Sequence, residues 1–464
     1  MNKTRNSASI WQRFYKRNSY YHKDLEFLAK HLIPSDVSVL EIGCRGGEII
    51  SCLPNKVKVG VDWDDSLLAL ARKRSKKGTF IPLTEMKRRL KGKTFDYILI
   101  SHAFSYIADV QKFIELLRDF SHSDTRIIVV YFNFLWKPVL DLSENLGLKL
   151  PSYKEPNWLT GTDTDNLLSL ESFEKIGSGS RFLFPFYFPL ISEFINRVIC
   201  QLPGINSLCL THYSIYRPTP TAKDYSVSIV IPARNEAGNI QGILEKIPTL
   251  GTKTEVVFVE GGSKDNTWET IKKEVEDYRG ELSIQAFRQG SPKGKGNAVR
   301  VGFSRAKNEL LMILDADLTV GPDELVKFYE AASLGKGEFI IGSRLVYPME
   351  KQAMRILNYF GNKFFSVAFS FLLGQRIKDT LCGTKVILSR NYQKIVKNRH
   401  LFGDFDPFGD FDLIFGSAKL NLKIIEIPIR YKERTYGKTN ISRFAHGLLL
   451  LKMVAFAAKK LKFV

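Results

Sequence analysis

The run Leu310-Leu-Met-Ile-Leu-Asp315-Ala-Asp317-Leu-Thr319 closes an apolar stretch with two carboxylates one residue apart. Side chains at i and i+2 of a strand project to the same side. A buried strand running into Asp-x-Asp is therefore expected to bring two oxygen donors together at the carboxyl edge of a sheet. Such a pair suits a hard cation, Mg²⁺ or Mn²⁺, holding a diphosphate. Asp-x-Asp is common at strand ends, so its meaning depends on the segments around it.

Three upstream segments have the character of strand-to-helix turns. Val227-Ser-Ile-Val-Ile-Pro232-Ala233-Arg-Asn235-Glu236 predicts a strand, a proline turn and a helix over Asn239–Ile247. Glu255-Val-Val-Phe-Val-Glu260-Gly-Gly262-Ser263-Lys-Asp265-Asn-Thr267 predicts a second strand, a glycine turn and a helix. Such turns aim backbone N–H groups and short side chains at a nucleotide. Gly294-Lys295-Gly296 opens a third helix. It lacks Walker spacing, but a lysine between glycines can reach a phosphate.

In order, Pro-x-x-Asn-Glu, Gly-Ser-x-Asp-x-Thr, Gly-Lys-Gly and Asp-Ala-Asp resemble glycosyltransferase family 2, which has the GT-A nucleotide-sugar fold. The resemblance implies donor contacts from Pro232, Ala233, Asn235, Glu236, Glu260, Gly262, Ser263, Asp265 and Lys295, and a metal on Asp315 and Asp317. Glu260-Gly261 departs from the usual Asp-Asp, which leaves base selectivity open. Gly342-Ser-Arg344, Lys378-Asp379-Thr-Leu-Cys382-Gly383-Thr-Lys385 and Tyr431-Lys-Glu-Arg434-Thr-Tyr-Gly437-Lys438 look like the dolichyl- and polyprenyl-phosphate branch. That likeness implies a catalytic cation at Arg344 and acceptor-phosphate contacts at Lys385, Arg434 and Lys438. An ionised lipid phosphate needs cations to align it rather than a base. A hydroxyl acceptor needs a base, for which Asp410 and Asp412 are the candidates. At a helix start, the same two acids would equally serve to stabilise the helix.

The first half carries another turn, Val37-Ser-Val-Leu-Glu41-Ile-Gly43-Cys-Arg45-Gly-Gly47, with a strand Val57–Val61 ending at Asp62. An acid there can hold ribose hydroxyls. Over residues 20–135 the pattern resembles the S-adenosylmethionine-dependent methyltransferases. It implies possible cofactor contacts from Glu41, Gly43, Gly47 and Asp62. Arg45 stands where that family has its middle glycine, so a side chain is expected where the backbone should approach the ligand. Intact cofactor binding and a degenerate scaffold are both compatible with this turn. His102, past the strand Phe95–Ser101, occupies a rim position.

The bulk properties narrow the setting. The 464 residues carry a formal net charge of +20. From Arg376 onward, 18 Lys/Arg face 7 Asp/Glu, a local excess of 11. An anionic membrane accounts for this better than nucleic acid, because no compact aromatic-plus-basic RNA motif is present. Five scattered cysteines without C-x-x-C spacing exclude a disulfide framework or zinc site and fit a reducing cytosol. No apolar signal core opens the chain and no run reaches spanning length. Segments near 351–374 and 441–464 read as amphipathic helices for a membrane surface, their lysines flanking apolar residues. Residues 170–217, rich in Phe, Leu, Ile and Pro, suit packing between domains or membrane contact.

The expected fold class is α/β in two domains meeting near Arg217–Asp224. A Rossmann-like methyltransferase fold (1–217) precedes a GT-A nucleotide-sugar-binding fold (218–464) with interfacial amphipathic helices. The expected activity is an inverting transfer from a UDP- or GDP-sugar to a polyprenyl phosphate, aided by Mg²⁺ or Mn²⁺, with S-adenosylmethionine a possible second cofactor. The expected location is cytoplasmic, peripheral on the inner face of the cell membrane, with no nucleic-acid partner. A hydroxyl of a glycolipid or surface polysaccharide is the alternative acceptor, and glycan methylation the alternative main activity.

Overall fold

The computed structural model describes residues 4–147, 157–347, 356–399, 409–434, 436 and 443–463. The chain divides into two compact units, one up to Thr219 and one over Pro220–Lys462. Each is built on a seven-stranded sheet.

In the first unit, strands β1 (Val39–Ile42), β2 (Lys58–Asp62), β3 (Thr79–Pro82), β4 (Phe95–Ser101), β5 (Ser121–Phe132), β6 (Phe173–Arg181) and β7 (Thr211–Pro218) lie in the order β3-β2-β1-β4-β5-β7-β6. The first five are parallel, and β7 runs antiparallel to both β5 and β6. Alternation along β4 and β5 splits the core into two layers. Ile98, Ile100, Ile127 and Val129 pack with Phe113, Ile114 and Leu117 on one face. Tyr97, Leu99, Ile128 and Val130 pack with Leu25, Leu28 and Leu32 of the helix Ser19–Leu32 on the other. Each fully buried Leu or Ile contributes ~1.5–3 kcal/mol relative to exposure, so both layers are needed to hold the sheet.

In the second unit, β8 (Val227–Ala233), β9 (Thr254–Glu260), β10 (Ser283–Arg288), β11 (Leu310–Ile313), β12 (Phe339–Ser343), β13 (Lys385–Leu388) and β14 (Ile424–Pro428) are ordered β10-β9-β8-β11-β13-β12-β14. Only β13 runs against its neighbours β11 and β12. Strands β9 and β11 are buried throughout and β8 at every residue but Pro232, as in a parallel sheet covered on both faces.

Two local expectations change. The helix predicted over Asn239–Ile247 is one turn, Ala237–Ile240, followed by a 3₁₀ turn at Leu244–Lys246. Gly242 adopts a left-handed conformation (φ 70°), and its N–H is taken by Glu274 (2.8 Å), which stops helix propagation. The amphipathic segments form helices Ile356–Leu373 and Arg443–Ala457, which pack against each other. Phe365, Phe369, Leu450 and Met453 face inward, whereas Phe364, Val367, Leu448 and Leu451 are exposed. Among the described residues no helix is long and apolar enough to cross a membrane.

Candidate functional site

The turns of the second unit meet at the carboxyl edge of β8, β9 and β11. Strand β8 ends at Ala233, opposite Glu260 at the end of β9. Beyond it Asn235 is left-handed (φ 56°), a conformation asparagine tolerates. Its N–H donates to Ser263 Oγ (3.0 Å), and its Oδ1 accepts from the Lys264 N–H (2.8 Å). The Glu236 N–H donates to Thr267 Oγ1 (2.9 Å), and Asp265 accepts from the N–H groups of Thr267 (3.1 Å) and Ala237 (3.4 Å). Asn235, Glu236, Ser263 and Asp265 therefore stitch two turns into one rim beyond the end of Pro232-Ala233, where Pro232 is half-buried and Ala233 buried. Glu260 is buried, and its Oε1 accepts from the Ser263 N–H (2.5 Å), so it shapes its own turn. At Gly262 (φ 73°) an added Cβ would run into the end of Lys293, a cation at the rim that the motif reading overlooked.

The Asp-Ala-Asp geometry differs from expectation. Strand β11 ends at Ile313, two residues before Asp315, and Leu318 is left-handed (φ 52°). The motif thus sits in a turn, where strand alternation no longer applies, and the carboxylates take separate partners. Asp315 pairs with Lys295 Nζ (2.7 Å). Asp317 Oδ1 accepts from the Thr319 N–H (3.2 Å) and hydroxyl (2.8 Å), while its Oδ2 accepts from Arg434 (2.5 Å). The second guanidinium nitrogen of Arg434 donates to Glu236 Oε1 (2.8 Å). Burial raises the Glu236 carboxyl, and Arg434 opposes that rise. Burial also works to raise Asp315, but Lys295, with Lys385 and Arg344 behind it, outweighs this and holds Asp315 below the usual carboxylate range. Against the cost of burial, Asp315 and Asp410 hold Lys295 above the usual lysine range.

Other expected positions are engaged beneath this rim. Arg344 forms a bidentate pair with buried Asp379 (2.7 and 2.8 Å) and stacks on Tyr431 (5.2 Å). Lys385, expected at the acceptor phosphate, is fully buried. Its ammonium donates to Asp410 (2.6 Å) and to the Cys382 carbonyl. Asp410 and Asp412 start the helix Asp410–Lys419 rather than an extended segment. Asp412 pairs with Arg300 and with Arg399 (3.3 Å). Both acids are buried in ion pairs, an arrangement that stabilises a helix start and is poorly suited to accepting a proton. Lys438 lies outside the described residues.

A divalent cation requires oxygen donors, and Asp317, Asp315 and Glu236 supply that chemistry. Among the described residues no group of three His, Cys, Asp or Glu converges on one point. The guanidinium of Arg434 and the ammonium of Lys295 neutralise these carboxylates from either side. The residues fit a metal provided that Arg434 turns off Asp317.

In the first unit, Gly43, Arg45 and Gly47 all have positive φ (75°, 50° and 74°). Arg45 thus keeps the glycine-like turn, and its guanidinium lies over the Trp11 ring (4.6 Å) rather than across the turn. Asp62 accepts from the N–H groups of Arg45 (2.7 Å) and Asp64 (3.0 Å), one on each oxygen, leaving each oxygen a further lone pair. Burial pushes its carboxyl up, and these N–H groups pull it down. Glu41 accepts from the Ile50 N–H (3.0 Å) and is pushed well up by burial and then by Glu48. Trp63, partly exposed, packs on Tyr106 (5.3 Å) and offers an aromatic face beside the acid. These groups suit a nucleoside. His102 is left-handed (φ 51°), stacks on Phe132 (4.0 Å) and contacts the Tyr21 hydroxyl through Nε2 (2.8 Å).

Residues 228–395 match the family Glycosyl transferase family 2, and residues 40–128 match the family Methyltransferase domain. The chain is 27% identical over 246 residues to a dolichyl-phosphate beta-glucosyltransferase of Trichomonas vaginalis (48% of this chain, 70% of that protein). It is 25% identical over 247 residues to the UDP-N-acetylglucosamine–dolichyl-phosphate N-acetylglucosaminyltransferase of Methanococcus voltae (50% of this chain, 97% of that protein). Solved structures similar to it include a SAM-dependent methyltransferase of Thermotoga maritima (17% identity, TM-score 0.37, 46% of this chain and 96% of that one). They also include glucosyl-3-phosphoglycerate synthase of Mycobacterium tuberculosis (15% identity, TM-score 0.38, 51% and 80%).

Proposed function

We propose that this chain, which joins a family 2 glycosyltransferase domain to a methyltransferase-like domain, moves a sugar from a UDP- or GDP-linked donor to the phosphate of a polyprenyl lipid. The observation that carries the reading is Arg434, whose fork spans Glu236 and Asp317 and so brings a cation from the C-terminal segment to the acidic donor rim. The similar proteins of Trichomonas and Methanococcus, both dolichyl-phosphate glycosyltransferases, point the same way.

The reaction is a single displacement. An oxygen of the lipid phosphate attacks the anomeric carbon, the bond from that carbon to the diphosphate breaks, and configuration inverts. The phosphate is already ionised near neutral pH, so no proton acceptor is required. The buried ion pairs of Asp410 and Asp412 tell against a hydroxyl acceptor, which would require one. Asn235, Ser263 and Asp265 fix the rim that receives the nucleoside. Lys295 and Lys293 face the donor phosphates, and Arg434, with Lys438, aligns the acceptor phosphate. Arg344 and Lys385 act from beneath, as positive charges that keep Asp315 ionised. Asp317, with Asp315, would hold Mg²⁺ or Mn²⁺, which when bound stabilises charge on the departing diphosphate.

In the first unit, Glu41, Gly43, Gly47 and Asp62 would hold S-adenosylmethionine, which when bound supplies an electrophilic methyl group. A place on the inner face of the membrane is supported by exposed Phe364, Val367, Leu448 and Leu451 near Lys452, Lys459 and Lys460.

The test is incubation with Mn²⁺, a panel of UDP- and GDP-sugars and polyprenyl phosphate, with sugar measured in the lipid phase. Lipid-phase product from one donor is expected. Release of nucleoside diphosphate without lipid product would move the acceptor to a hydroxyl and overturn the assignment.

A further inference from the structure

The first unit exposes many large apolar side chains, and most of them gather at one edge of its sheet. Strand register locates that edge. Ile42 of β1 lies opposite Ile100 of β4, and Ser101 lies opposite Val130 of β5. Thr211, the first residue of β7, faces both Phe132, the last of β5, and Arg181, the last of β6. The segments that leave β5 and β6 and the one that enters β7 therefore emerge on the same edge as the Gly43–Gly47 turn.

These segments carry the exposed residues. The helix Lys137–Asn145, with the turn before it and the residue after, presents Leu135, Leu142 and Leu146. The segment after β6 presents Phe186, Phe188 and Leu190, the last 82% exposed and left-handed (φ 66°). A bulky apolar residue held in a disfavoured conformation and pointing at water is unusual, and such strain concentrates at functional positions.

Contacts tie the pieces together. The Trp136 indole N–H donates to the Leu208 carbonyl (2.8 Å), and Asn133 donates to the carbonyls of Ser207 (2.7 Å) and Cys209 (2.9 Å). Tyr20 packs on Tyr187 (5.1 Å), and Arg17 donates to the Gly147 carbonyl (3.2 Å). The helix Thr4–Arg17, which exposes Arg13, Lys16 and Arg17, thus ends against the first apolar segment, and the helix Ser19–Leu32 begins against the second. An apolar, aromatic surface edged by arginine and lysine matches the boundary of an anionic bilayer, where hydrocarbon and lipid phosphate meet.

We infer that the first unit docks on anionic membrane through Leu135, Leu142, Leu146, Phe186, Phe188 and Leu190, so that the Gly43–Gly47 edge faces the lipid surface and receives a lipid-borne ligand. This goes beyond the sugar-transfer reading, which places only the second unit at the membrane.

The test uses the full chain with vesicles of phosphatidylcholine alone or mixed with phosphatidylglycerol. The triple variant Phe186→Ser/Phe188→Ser/Leu190→Ser is expected to lower partitioning onto the mixed vesicles at least tenfold. Sugar transfer to a short polyprenyl phosphate in detergent should stay unchanged, which separates this inference from the catalytic one. In otherwise unaltered protein, Leu190→Trp should add emission that shifts blue on mixed vesicles and is quenched by brominated lipid; this second variant covers the case in which the triple one does not fold. Absence of quenching while the protein still sediments with vesicles would show docking through the second unit alone and overturn the inference. Equal binding to phosphatidylcholine alone would remove the basic rim from the argument and overturn the anionic assignment.

Discussion

Arg434 reaches Asp317 at 2.5 Å and Glu236 at 2.8 Å with the two arms of one guanidinium. A residue near the end of the chain thereby bridges the turn after β8 and the turn after β11. Its positive charge sits against the carboxylate that would hold a donor metal, so such a cation would compete with the guanidinium for Asp317 until a diphosphate supplied new negative charge.

Arg434→Ala should therefore bind Mn²⁺ with UDP or GDP about three- to tenfold more tightly, a gain of roughly 0.7–1.4 kcal/mol. Transfer should fall by about 10²–10³. Arg434→Lys should recover only part of the rate, because a point charge cannot hold two carboxylates at once. Calorimetric Mn²⁺ titration beside initial rates reads both effects. Unchanged Mn²⁺ affinity in the alanine variant would mean that Arg434 does not occupy Asp317 in solution.

Gly383 gives a second prediction. A Cβ there would collide with the Asp315 carboxylate and lie 2.6 Å from Lys295 Nζ. Gly383→Ala must displace one member of the Lys295–Asp315 pair. The expected results are a stability loss of ~1–3 kcal/mol for overpacking and a rate loss of at least about tenfold, through Asp315 misplaced at the rim. Urea midpoints and initial rates measure the two. A fully active alanine variant would show that this pair does not position the donor.

The α/β class and the strand-to-turn junctions of the second unit were legible because they follow from local pattern. Short β-branched apolar runs such as Val227–Ile231 and Val256–Val259 read as buried strands because turn residues bound them, and glycine, proline and asparagine after them mark turns at one sheet edge. The partners of the charges were not legible. Lys385 and Lys438 look alike as basic residues beside glycine, yet Lys385 is sealed against Asp410, 25 residues away. Asp379 was passed over, although it anchors Arg344 across 35 residues. Long-range pairing leaves no periodic trace in sequence. The misjudged Asp315–Asp317 geometry has a different cause: strand β11 ends at Ile313, one residue short of its apolar run, and although the Leu314 N–H still donates to the Val230 carbonyl (3.0 Å), the chain turns before Asp315.

The turn of the first unit yields a binding prediction independent of any activity. Because the Arg45 side chain lies over Trp11, Arg45→Gly should change affinity for S-adenosylmethionine by no more than about threefold, whereas Asp62→Ala removes the ribose acceptor and should weaken it about thirtyfold, roughly 2 kcal/mol. Calorimetry on the full chain decides this. If the unsubstituted protein shows no saturable binding, the glycine turn is a scaffold and the cofactor assignment falls.

His22 makes the first unit sensitive to acid. Its ring packs among Trp11 (5.4 Å), Phe14 (5.7 Å) and Tyr15 (4.7 Å), and Nε2 has no hydrogen-bond partner among the described residues. Burial, then the nearby Arg45, pushes its pKa down to about 3. In the unfolded chain a histidine titrates near ~6.5. The folded state therefore requires the neutral ring, so its stability is fully present above that value and declines as pH falls from about 6.5 toward about 3. The slope approaches on the order of 1.4 kcal/mol per pH unit for one proton. His22→Phe keeps an aromatic ring in the cluster and removes the titration, so its urea midpoint should fall less than that of the unsubstituted protein between pH 7 and pH 4.5. Parallel declines in the two proteins would show that His22 is not the group whose protonation opens this core.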